Sequence, residues 1–134
     1  MSVSDQLEPP SSAEVFEKFL CKKLKDPMQR YTYMRLQDSA HLESIFKQEF
    51  DPEVFLAIID TFTLQVVNNP AFNNAEEQTF VAKFIILISK TPKFEFMLDF
   101  MEERDHTKIK TVLAGLALVS DDIKGTLKNT FASI

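Results

Sequence analysis

Proline placement is the tightest constraint on this chain, because proline is accepted in the first turn of a helix and breaks its interior. At three sites a capping side chain directly precedes a proline that can take the first helical position: Asp26-Pro27, Asp51-Pro52 and Thr91-Pro92. Each pair predicts a helix start, since the capping oxygen accepts a backbone N–H where proline itself has none to leave unsatisfied. Ser11 with Glu14, and Asn74 with Glu77, have the spacing at which a cap and a glutamate three residues on satisfy each other's donors. Further starts are expected at Asp38 or Ser39, at Asp105, and at Ser120 or Asp121. The total is about eight helices.

Between these starts the apolar residues recur at three and four, as in Phe16, Phe19, Leu20 and Leu24, or Val54, Phe55, Ile58, Ile59 and Phe62. That is the helical period, not the strand period. Residues Ala75 to Lys90 read as a helix buried on most sides, and Asn68 to Asn73 as the one clear loop. Two glycines in 134 residues leave little material for the positive backbone angles of hairpins. The length suits one domain with a single core. The expectation is an all-α fold, a compact bundle or short superhelix of about 7–8 helices over residues 12–134, with residues 1–11 as a disordered N-terminal tail.

Fifteen basic against 20 acidic residues give a net charge of −5, the wrong sign for neutralising phosphates. The balance is 7 basic to 11 acidic up to Val67 and 8 to 9 beyond it, so no basic tail hides in the average. Neither nucleic acid nor a membrane is expected as a partner. A single cysteine, Cys21, cannot form an internal disulfide and has no partners at zinc-ligand spacing. It falls among apolar neighbours and is expected to be buried, while Lys22, Lys23 and Lys25 form a wet face. With no apolar leader and no run long enough to span a bilayer, a cytoplasmic location is expected.

Catalytic signatures are missing. His41 and His106 stand in no nucleophile motif, and two isolated glycines cannot build a phosphate loop. The neighbouring acids Glu102-Glu103 and Asp121-Asp122 point about 100° apart on a helix, which does not make a shared site. No enzyme activity, metal or cofactor is expected. The rival from that class is a small hydrolase or transferase using scattered carboxylates, whose mark would be a deep polar pocket with convergent titratable groups.

The run from Pro92 to Arg104 carries two apolar faces. At about 100° per residue from Phe94, the side chains of Phe94, Met97, Leu98 and Met101 gather within roughly 60° of zero. Glu95, Asp99, Glu102 and Glu103 occupy about 80° to 180°, a wet stripe. Phe96 and Phe100 then fall near 200° and 240°, beside Lys93 and Arg104 at about 260° and 280°. Either another part of the domain covers the two rings, or they form an exposed aromatic pair rimmed by cations. The second arrangement is a protein-binding site, aromatic anchors beside charges that fix register, and an acidic or carbonyl-rich groove would suit it.

The run Lys93-Phe94-Glu95-Phe96-Met97-Leu98-Asp99-Phe100-Met101, with Leu42-Glu43-Ser44-Ile45-Phe46-Lys47-Gln48-Glu49-Phe50-Asp51-Pro52-Glu53-Val54-Phe55, resembles the C-terminal domain family of RNA polymerase II-associated protein 3. Phe16-Glu17-Lys18-Phe19 and Tyr31-Thr32-Tyr33-Met34 are also similar, so the resemblance spans about residues 13 to 113. Related domains occur in sperm-associated antigen 1 and in a coiled-coil dynein-arm assembly factor. The resemblance implies a helical adaptor, a co-chaperone module that docks on RuvB-like AAA+ ATPases; by itself the chain is expected to be monomeric. It places the ATPase contact on Lys93, Phe96 and Phe100, where the family commonly has arginine at the first position and methionine at the second. The alternative it implies is an axonemal dynein arm assembly factor acting through dynein or microtubule contacts in cilia.

Overall fold

The computed structural model describes residues 26–36, 39–45, 52–92 and 94–134. The expected tail over residues 1–11, the Ser11 and Asp51 caps, the segment Phe16 to Lys25 with Cys21, and Asp38 and Lys93 lie outside them. Among the described residues the regular structure is all helical, arranged as an α bundle.

Helix α1, Pro27–Arg35, starts as its sequence predicts: Asp26 Oδ1 accepts the Met28 N–H at 3.0 Å and proline occupies the first turn. Helix α2, Ser39–Ile45, contributes the buried Leu42. Helix α3, Pro52–Phe62, buries Val54, Phe55, Ile58, Ile59 and Phe62. It then widens into a π turn, Thr63–Val67, closed by the Asn68 N–H bonding the Thr63 carbonyl at 2.9 Å. The loop that follows ends at Asn74, whose Oδ1 accepts the Glu77 N–H at 2.9 Å and caps helix α4, Ala75–Ile88. The return arm expected from Glu77 to this cap is not made. Its carboxylate instead takes hydrogen bonds from Tyr31 Oη at 2.7 Å and from Arg35 at 3.1 and 3.2 Å, tying α4 to α1.

Helix α5 is Phe94–Phe100, α6 is Glu103–Gly115 and α7 is Asp121–Thr130. At the start of α5 the Thr91 hydroxyl donates to the Ile88 carbonyl at 2.6 Å, closing α4, while the Thr91 carbonyl accepts the Phe94 N–H at 3.3 Å. One start differs from expectation. Asp105 is not the cap of α6. It lies one turn inside, its Oδ2 accepting the Glu102 N–H at 3.3 Å, so the helix starts earlier. Ser120 caps α7 as expected, through the Ile123 N–H at 3.4 Å.

In the packed bundle α3 and its π turn meet α1 and α6, while α4 pairs with α7. Phenylalanines fill the joints: Phe62 meets Tyr31 and Phe84 edge-on, with centroids 6.2 and 5.7 Å apart. The close approach of α6 to the π turn depends on Gly115, where an added Cβ would sit 2.7 Å from Val67 Cγ1. Gln78 is a buried polar residue with both ends used. Its amide nitrogen bonds Asn73 Oδ1, and its Oε1 accepts the Leu118 N–H at 2.8 Å, holding the α6–α7 connection against α4.

Candidate docking surface

Helix α5 has only seven residues, too few to be stable alone, so its shape is imposed by what it buries. Phe94 packs edge-on to Phe55 of α3 at 5.6 Å and to Phe131 at 5.8 Å, and Leu98 is fully buried. Met101, just past the helix, is buried too. The far end is tied down at one atom. The Leu98 carbonyl accepts both the Met101 N–H at 3.2 Å and the His106 Nε2 proton at 2.7 Å, which bolts α5 to the second turn of α6.

With that stripe fixed, the helical period turns Phe96 and Phe100 outward. They are 60% and 71% exposed, and their rings lie against each other with centroids 4.8 Å apart at 59°. No described residue covers them. Other apolar side chains are exposed singly, and isolated exposure is ordinary for a soluble domain. Two phenylalanine rings in contact, four residues apart on a helix anchored from behind, form a patch.

The rim differs from the projection. The helix ends at Phe100 and the chain turns at Met101 and Glu102, so Arg104 does not continue the face of the two rings. It stands in the first turn of α6, where its Nε pairs with Glu102 Oε2 at 2.9 Å. Its other side borders a groove of about 580 Å³ shared with Arg30, Glu53, Asp60 and Lys108, in which Lys108 Nζ approaches Asp60 Oδ1 at 3.9 Å. Around the rings, the described charged side chains nearest in sequence are Glu95 and Asp99, both exposed.

The remaining polar network is structural in character. Hydrogen bonds from Arg35, and then from Tyr31, hold the Glu77 carboxyl below its usual range. Arg35 also lies 4.7 Å over the Phe80 ring. Burial, reinforced by Glu77, raises Tyr31, and burial alone pushes Tyr33 up to about 12. Sequence reasoning did not single out this group, although Glu77 was placed at its cap. Among the described residues no cluster of histidine, cysteine or carboxylate side chains could hold a metal ion, and no helix is long and apolar enough to cross a membrane.

A family model described as the potential Monad-binding region of RPAP3 matches residues 9–106. Among solved structures, the chain is similar to the NMR structure of the C-terminal domain of the human RPAP3 protein. The identity is 17% and the TM-score 0.75, over 93% of this chain and 90% of that one. At that identity the likeness shows the fold. No curated protein matches the chain.

Proposed function

The chain belongs to the family of the RPAP3 C-terminal region, a protein-binding domain family, and from that premise we propose that it is an adaptor docking through Phe96 and Phe100 onto a RuvB-like AAA+ ATPase. The observation that carries this reading is the pair of touching, solvent-facing rings on a helix whose other side is locked into the core. Such rings lose little rotamer freedom on binding and bury large apolar area, which is how interface anchors work. Lys93 holds the family's basic position and would meet an acceptor at the rim. Arg104, displaced onto α6 and paired with Glu102, would be a peripheral contact at most.

The action is binding alone, with no chemical step. The charge pairs at and beside the open groove, Lys108 with Asp60 and Arg104 with Glu102, have the character of surface ion pairs, not of a catalytic dyad. The family description, which names Monad as a potential partner of RPAP3, supports a protein partner in general. No feature of the fold favours the alternative of a dynein arm assembly factor.

The test is a pull-down of a purified RuvB-like ATPase, with Monad as a second bait. The Phe96→Ala/Phe100→Ala variant should lose ATPase capture, since a central aromatic anchor contributes about 2 kcal/mol or more, roughly thirtyfold in Kd. Capture at the unmodified level by the folded variant would remove the assignment. Loss of Monad capture alone would transfer the surface to that partner.

A further inference from the structure

A second surface lies further along the chain, where the last turn of α6 and the connection after it run beside α7. Leu113, Leu116 and Leu127 form the floor of a groove of about 370 Å³, and the small Ala114 and Ala117 leave room above it. Lys124 and Lys128 line the same groove, four residues apart and so on one face of α7. No acidic side chain lines it among the described residues.

Like Lys83, Lys90 and Lys110, the two lysines have no ion-pair partner among the described residues, and they alone of these five line the groove. Arg35, Arg104 and Lys108 each have a carboxylate within ion-pair distance, whereas neither Lys124 nor Lys128 has one among the described residues. Both are exposed, in a chain of net charge −5. We propose that this groove is a second docking surface, for a short peptide segment of a partner protein that carries acidic side chains four apart beside apolar ones. The apolar floor selects a ligand with hydrophobic side chains over a bare anion. The net negative charge of the chain disfavours polyanions such as nucleic acid or an anionic bilayer, which meet the whole surface rather than one groove. All the groove residues lie beyond residue 106, where the family match ends, and none of them belongs to α5. Two separate surfaces on one domain are what a bridging adaptor requires.

The test uses the full chain, labelled with nitrogen-15, titrated with a synthetic amphipathic peptide whose glutamates are four positions apart and flanked by leucines. Saturable amide shifts confined to Leu113–Leu118 and Lys124–Lys128 are expected. Replacing the peptide's glutamates by glutamine, or introducing Lys124→Glu/Lys128→Glu in the chain, should weaken binding by about tenfold, as two partly exposed ion pairs would. Lys124→Arg/Lys128→Arg should restore it, and Phe96→Ala/Phe100→Ala should leave it unchanged. Absence of saturable shifts in the groove, equal affinity for the glutamine peptide, or loss of binding in the phenylalanine variant would each overturn the proposal. So would the same shifts with phosphatidylserine vesicles and no peptide, which would make the patch a lipid contact.

Discussion

Phe94 and Phe96 are the same residue two positions apart on one short helix, and their truncations should have opposite consequences. Phe94 is 4% exposed and meets Phe55 and Phe131 edge-on. Cutting it to alanine removes a buried ring and leaves a cavity, which costs about 3 to 5 kcal/mol. For a domain whose total stability is about 5 to 15 kcal/mol, that is a large share. Phe96 and Phe100 keep 60% and 71% of their surface in water. Roughly a third of a full burial term of about 2 to 3 kcal/mol is then at stake for each, with no cavity term. Alanine's better helix propensity returns about half a kcal/mol per site, so the double variant should lose about 1 kcal/mol or less. Urea unfolding followed by far-UV circular dichroism measures both, the comparison resting on midpoints at unchanged slope. A loss of 3 kcal/mol or more in Phe96→Ala/Phe100→Ala would refute the reasoning, because it would mean that the chain itself covers those rings in solution.

Gly125 sits inside α7 with nothing within 4 Å of where a Cβ would be, so Gly125→Ala should stabilise the fold by about 1 kcal/mol, read as a rise of a few degrees in Tm. Gly115→Ala should do the reverse, by about 1 to 3 kcal/mol, since its Cβ would press on both Val67 methyl groups at 2.7 and 2.8 Å. Adding Val67→Ala should recover part of that loss beyond additivity in a double-mutant cycle, and strict additivity would argue against the contact. The Glu77 carboxyl titrates lower in the fold than in the unfolded chain, where its pKa is about 4.3. Its contribution is therefore complete above that pH and fades as pH falls through the lower folded value, and Glu77→Gln should flatten that part of a stability–pH curve.

What could be read from sequence divides by the range of the interaction. Asp26, Asn74 and Ser120 were legible as helix starts because each cap bond closes within three residues. At Thr91 the hydroxyl proton had a second local use, and the Ile88 carbonyl at the end of α4 took it. The two faces of α5 were legible from one period within one helix. The position of Arg104 was not, because neither proline nor glycine marks the break at Met101 and Glu102. Burial of Met101, the Asp105 bond to the Glu102 N–H and the His106 bond to the Leu98 carbonyl make that corner, and the last two form only once α6 is in place. The groove over Leu116 and Leu127 was invisible for the same reason, since it exists only where α6 and α7 meet. The corner also bears on binding. Seven residues would not hold a helix alone, so Phe94, Leu98 and His106 supply the order that Phe96 and Phe100 need to be presented together. With that order already built by the core, a partner meeting the two rings has little conformational entropy left to remove, and a larger part of the buried area can appear as affinity.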